Sequence, residues 1–158
     1  MPLYQKWEEA RRFMKISTKG RYGLRILLDL AIHGSSDQPR MLRDIAEQQQ
    51  ISLKYLSRLI IDLRRARMVR SIRGVKGGFF LARKPSEITL LEVIEAMEGS
   101  LSIVDCVGKP EKCQRHNSCP ARDIWCELND GIRALMLKIT LEEIIRKYNA
   151  NLPPDYCI

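Results

Sequence analysis

What the chain has little of narrows it first. In 158 residues there are two histidines, and aromatic residues make up 6%. So few imidazoles leave little for acid–base catalysis, and no nucleophile–base constellation or phosphate-binding helix motif is visible. The chain is therefore not expected to be an enzyme. No apolar run approaches the roughly 18 residues that a membrane span needs, and the opening MPLYQKWEEARRF lacks the apolar core of a signal peptide. A cytoplasmic protein with no membrane partner is expected. There is no internal repeat and no low-complexity tract. Acidic residues are scarce in one half only: residues 1–83 hold 18 Lys and Arg against 7 Asp and Glu, while residues 84–158 hold 9 against 12. A basic half of this kind either meets a polyanion or is a solvated surface.

What is present is mostly helical in period. Residues 1–13 read as a helix-prone extension. Ser17 or Thr18 caps a helix to about His33, with Leu24, Leu27, Leu28 and Ala31 as its apolar stripe. Gly34 to Pro39 is a loop. Met41 to Gln49 forms a second helix with Leu42, Ile45 and Ala46 inward, and Ser52 caps a third that runs to about Met68. Val69–Arg73, Gly74–Gly78 and Phe79–Ala82 then read as strand, glycine turn and strand. Thr89 and Glu92 form a capping box for a fourth helix ending near Gly99. Residues 100–120 are loop-like. Residues 121–139 form a long helix with Ile124, Trp125, Leu128, Ile132, Leu135 and Ile139 on its apolar side. Thr140 opens a last helix to about Tyr148, and residues 149–158 form a tail. The fold class is mainly α with a small β-hairpin: a winged helix-turn-helix domain over 14–99, a cysteine loop over 100–120, and C-terminal helices over 121–148 that the length of the chain leaves as an added oligomerisation element.

Three short helices followed by a glycine-turned hairpin is the order of a winged helix that reads double-stranded DNA. In the third helix Leu53, Leu56, Ile60 and Leu63 share one face at the helical angle and are assigned to the core. Lys54, Tyr55, Ser57 and Arg58 then point outward on the first two turns, where a recognition helix meets base edges in the major groove. Arg58 suits a guanine, and Ser52, Tyr55 and Ser57 suit bases or phosphates. Arg64, Arg65, Arg67 and Arg70 suit phosphate or surface positions. Arg73 and Lys76 bracket the hairpin turn, where glycines let the backbone approach a sugar–phosphate wall and arginine can enter a narrow minor groove. The plainer alternative is a three-helix domain with an ordinary hairpin and solvated arginines.

Five cysteines are present, and Cys106, Cys113 and Cys119 fall within fourteen residues. In a reducing compartment this favours metal or redox chemistry over a disulfide framework. The spacing is not the paired CxxC of a zinc ribbon. A flexible loop with Gly108 and Pro110 can wrap soft thiolates around an iron–sulfur cluster. Two other readings stay open: reduced thiols without metal, and a thiol-oxidation switch in which two of the three pair reversibly. Cys126 fits a small core position, Cys157 lies in the tail, and His33 fits a helix end.

Several motifs together resemble one family. Lys15-Ile16-Ser17-Thr18-Lys19-Gly20-Arg21-Tyr22-Gly23, Ile51-Ser52-Leu53-Lys54-Tyr55-Leu56, the stretch from Val69 to Phe79 and the three-cysteine loop resemble winged-helix transcription regulators of the IscR type. The likeness runs from Met14 to about Ile145. It implies a homodimer in which the long helix crosses its partner's copy, a roughly palindromic operator, and a cluster, [2Fe–2S] in IscR-like members and [4Fe–4S] in others. It also implies control of iron–sulfur assembly genes or, without a cluster, a regulator that senses through thiols or a partner protein, as in cysteine metabolism. Two positions depart from the pattern. Ser57 stands where IscR-like proteins hold an acidic side chain. Arg122 stands three residues after the third cysteine, where they supply a histidine, and a guanidinium cannot ligate iron. His116 is a candidate fourth ligand, beside Asp105, Glu111, Asp123, Cys126 or a group from the partner subunit.

Overall fold

The computed structural model describes residues 16–74 and 76–150. The expected extension 1–13, Cys157 and all but the first two residues of the expected tail lie outside them. Among the described residues the chain forms helices α1 Thr18–His33, α2 Leu42–Gln49 and α3 Leu53–Arg65, then strands β1 Val69–Ile72 and β2 Gly78–Leu81. There follow α4 Leu90–Glu98, the single turn α5 Asp105–Gly108, α6 Arg122–Lys138 and α7 Leu141–Ala150. The last helix runs two residues past its expected end.

Local chemistry sets the helix boundaries. The Ser17 hydroxyl accepts from the Lys19 and Gly20 N–H groups and starts α1. Ser52 does the same for α3, accepting from Tyr55 N at 3.2 Å. Thr89 and Glu92 close the expected reciprocal box at α4. α3 ends at Arg65, three residues before the expected stop. Arg67 turns left-handed at φ 56° and redirects the chain into β1.

The hairpin pairs Val69 with Leu81, Arg70 with Phe80, Ser71 with Phe79 and Ile72 with Gly78. A third, one-residue pairing extends it: Arg40 and Phe79 exchange both backbone hydrogen bonds at 2.8 Å. Arg40, at the end of what reads as a polar loop, is thus held at the sheet edge. The approach requires glycine at 78, because a Cβ there would sit 2.5 Å from the Arg40 carbonyl oxygen.

One core joins Ile26, Leu27 and Leu30 of α1, Ile45 of α2, and Leu56, Leu59, Ile60 and Leu63 of α3 with Val69, Ile88, Val93, Met97 and Leu141. This corrects two assignments. The buried stripe of α1 is Ile26, Leu27 and Leu30, while Leu24 and Leu28 pack at its margin and Ala31 is half-buried. α1 is apolar over more than one face, so spacing alone does not choose; contact with both α3 and α4 does. Leu53 is not in the core but 50% exposed, because it opens α3 beyond the reach of its neighbours.

The C-terminal helices attach through backbone. Thr89 and Thr140, the residues preceding α4 and α7, pair as an antiparallel bridge. Leu90 N donates to Ile139 O at 2.8 Å and Leu141 N to Ile88 O at 3.0 Å.

Candidate nucleic-acid interface

The first two turns of α3 present Ser52, Lys54 and Arg58 to solvent, as their spacing predicts. The other two candidates are placed differently. Tyr55 is half-buried and packs against the core. Its ring meets Tyr22 of α1 edge-to-face, with centroids 6.1 Å apart. Arg25 lies over Tyr22, 5.0 Å from the ring centre. Tyr55 therefore braces α3 against α1 with its ring. Ser57 donates its hydroxyl proton to the Leu53 carbonyl at 2.7 Å. In this rotamer it offers an acceptor outward, not a donor.

Directly before α3 in the chain lies a polar network that periodicity does not reveal. The Asp29 side chain is fully buried in α1. It accepts from Arg40 Nε at 3.1 Å and from Gln49 Nε2 at 3.1 Å, one donor to each oxygen. Gln49 in turn accepts from Arg25 Nε at 2.9 Å, and Arg40 reaches Gln48 at 2.7 Å. α1, the sheet-edge residue and the end of α2 are thereby fixed to one another directly before the turn into α3. A carboxylate whose two oxygens are both used in this way suits a locating role. A polar triplet far apart in sequence carries no short-range signal, so the sequence reading missed it.

The wing extends from the same body. Arg73 and Lys76 are exposed on either side of the hairpin turn, and Gly74 adopts φ +120°, a conformation side chains resist. Between the wing and the start of α2 lies an open groove lined by Met41, Ile72, Arg73 and the turn glycines. Acidic side chains are sparse on this surface. Asp62, the one acidic residue in α3, is neutralised by Lys19 at 2.9 Å and Arg65 at 3.7 Å.

The cysteine loop is more structured than its sequence suggests. Cys106 lies in α5, and Cys113 ends the 3-10 turn Pro110–Lys112. Cys106, Cys113, Cys119 and Cys126 are all half-buried free thiols. The His116 ring Nδ1 lies 2.9 Å from the Cys113 carbonyl oxygen, and the His116 N–H donates to the same oxygen. Arg122 is half-buried, and its Nε has no hydrogen-bond partner among the described residues. The three cysteines lie on successive short turns between α4 and α6. Among the described residues, however, no three His, Cys, Asp or Glu side chains converge closely enough to hold a single metal ion. The segment is hung from α6 by Asn129, whose Oδ1 accepts from Ile103 N at 3.2 Å. Arg133 pairs with Glu95 of α4 beside it. Neither residue stands out in the sequence.

Comparison with known proteins gives this geometry a context. The Rrf2 family, described as an iron-dependent transcriptional regulator, matches residues 16–147. The transcriptional regulator IscR of Photorhabdus laumondii is 40% identical over 132 residues, which is 84% of this chain and 79% of that protein. Among solved structures, IscR from T. potens is 33% identical with a TM-score of 0.72, over 90% of this chain and 95% of its own. The global cysteine regulator CymR of B. subtilis is 35% identical with the same TM-score, over 85% and 98%. These relatives are transcriptional regulators and not enzymes. Three helices, a paired hairpin with an exposed basic turn, and relatives of this kind over most of its length make the chain a member of the Rrf2 family of winged-helix transcriptional regulators.

Proposed function

We propose that the protein is an IscR-type regulator that binds a roughly palindromic operator as a homodimer, and that Cys106, Cys113 and Cys119 hold an iron–sulfur cluster, [2Fe–2S], that tunes this binding. The observation that carries the DNA reading is the braced α3 edge. Ser52, Lys54 and Arg58 stand exposed on a helix braced by Tyr55 and preceded by the Asp29 network, with Arg73 and Lys76 on a wing joined to the same body. Arg58 reads a base, Ser57 accepts from a base amino group, Tyr55 and Lys54 hold phosphate, and the wing residues lie along the minor groove. The homodimer reading rests on α6, where Ile124, Trp125, Leu128 and Leu135 are exposed.

For the cluster, the donor chemistry fits: three thiols on one short loop are soft ligands suited to iron and sulfide. The cluster would supply a centre lost on oxidation or iron limitation. The chain's own part is to carry that loop on Asn129 and Arg133, between the DNA-binding body and α6. His116 is the candidate fourth ligand: with Nδ1 engaged on the Cys113 carbonyl, Nε2 is the nitrogen left to bind. Control of iron–sulfur assembly genes follows the likeness to IscR, and a cytoplasmic location follows from binding the genome. A second reading is favoured by the likeness to CymR and by the absence of a converged ligand set among the described residues. In it the half-buried thiols themselves, or a partner protein, provide the signal.

Anaerobic purification followed by iron and sulfide analysis, with footprinting of the protein before and after chelation, separates the two. Iron, sulfide and a chelation-sensitive footprint are expected. Protein without iron or sulfide whose footprint changes on thiol oxidation would select the second reading. Arg58→Ala is expected to weaken operator binding more than non-specific binding, and Lys76→Ala to lower mainly the salt dependence.

A further inference from the structure

At the end of α3 away from the reading edge, an open cleft of about 510 Å³ lies between the helix and the outer face of the hairpin. Arg64, Arg67, Arg70 and Arg83 line it together with Phe80. The hairpin register explains the grouping. Val69 is buried in the core, so the next residue, Arg70, and its cross-strand partner Phe80 face the other way. Arg67 is delivered by the left-handed turn that ends α3. Of the four guanidinium groups, only Arg83 has a carboxylate partner among the described residues, Glu92 at 3.1 Å. Even there Arg83 Nε is buried without a hydrogen-bond partner among them. Neither the reading edge nor the cysteine loop uses any of these side chains.

Like charges collected in one cleft attract an anion, and guanidinium forks match phosphate oxygens two at a time. An aromatic wall among arginines adds a stacking surface for a planar base. The volume falls inside the roughly 300–1,000 Å³ of small-molecule sites. The backbone of the operator is the weaker fit. A helix of 13 residues spans about 20 Å, so the cleft sits that far along α3 from Ser52, and at the base of the hairpin rather than at the wing tip. We propose that this cleft binds a nucleotide carrying at least two phosphate groups, with its base against Phe80 and its phosphates among Arg64, Arg67 and Arg70.

The test is calorimetric titration of the full-length protein with ADP and with GDP, beside pyrophosphate and adenosine. Saturable binding of a nucleoside diphosphate at one site per chain is expected, with pyrophosphate and adenosine each at least about tenfold weaker. Arg67→Ala and Arg70→Ala, both at exposed positions, are expected to weaken nucleotide binding at least about tenfold while thermal melting is unchanged. Phe80→Leu is expected to weaken ADP but not pyrophosphate. Absence of saturable binding overturns the proposal, and so does equal affinity for pyrophosphate and ADP. If neither nucleotide binds and Arg67→Ala or Arg70→Ala shortens the operator footprint, the cleft belongs to the DNA backbone and the proposal falls. Nucleotide binding does not depend on operator binding: loss of the operator with the nucleotide site intact would reject the DNA reading alone.

Discussion

In α3, four of 13 residues are buried in the core, whereas in α6, with 17, Asn129 alone is buried. Both helices carry an apolar stripe. Leu56, Leu59, Ile60 and Leu63 find partners on α1, α2 and β1 within the same protomer. Ile124, Leu128 and Leu135 are not part of that core and stay 48–61% exposed. The first region closes its own core and so can hold the proposed reading edge rigidly. The second is tied to it by the Thr89–Thr140 bridge, Asn129 and Arg133, and otherwise offers surface. The same sequence signal, apolar residues three and four apart, thus means an internal core in one place and an exposed apolar face in another.

The contrast breaks most visibly at Leu128. If α6 is the dimer face, Leu128→Asp buries an unpaired charge there, at about 3–5 kcal/mol, and weakens self-association about 100-fold or more. Sedimentation equilibrium reads this directly, and an unchanged dimer would reassign the face. Next in size is the core itself. Leu56→Ala is expected to lower protomer stability by about 2–5 kcal/mol in urea unfolding. Leu135→Ala, compared in the monomeric Leu128→Asp background, should cost less than about 0.5 kcal/mol. Equal losses at the two sites would show that α6 packs within its own protomer.

Asp29→Asn sharpens the account of rigidity. An amide has one acceptor oxygen where Arg40 and Gln49 each need one, so one buried donor loses its partner, at about 1–3 kcal/mol. Urea unfolding measures that cost. Operator binding measured beside it should fall as well, since the network sets α1 against α2; full affinity would make the network purely a matter of stability. The smallest effect concerns Glu92, which joins Arg83 to the start of α4. Burial alone would raise its carboxyl, but hydrogen bonds from Thr89 and Arg83, with the Arg83 charge, hold it below the ordinary value. A depressed carboxylate adds stability above its unfolded pKa, about 4.3, and that stability is lost as pH falls through the folded value. Wild type and Glu92→Gln should therefore differ in thermal melting at neutral pH and converge in acid. A difference that persists at pH 2 would remove the ionised carboxylate from the explanation.

Local signals were legible wherever chemistry acts over a few residues. The Ser17, Ser52 and Thr89 caps, the glycine turn and the outward Lys54 and Arg58 follow from spacing and side-chain type. Leu53 was misassigned because periodicity knows the angle around a helix but not where its neighbours end. Helical spacing points Tyr55 outward, yet its ring packs on Tyr22 of α1, a partner that spacing within α3 does not include. The Asp29 network and the Arg40–Phe79 pairing leave no local signal because the partners lie 11 to 39 residues apart, and spacing shows Arg64, Arg67 and Arg70 as a basic run without placing Phe80 and Arg83 beside them.

By itself the sequence determined the order of elements, the basic character of the first half, the presence of three clustered thiols and the outward Ser52, Lys54 and Arg58 of α3. Each of these depends on local propensity or on composition, which contiguous residues set. Only the tertiary structure decided which of two apolar stripes became core, which tyrosine became a brace, and which arginines share a cleft. Those outcomes depend on close packing and on paired buried donors and acceptors, which exist only once distant segments meet.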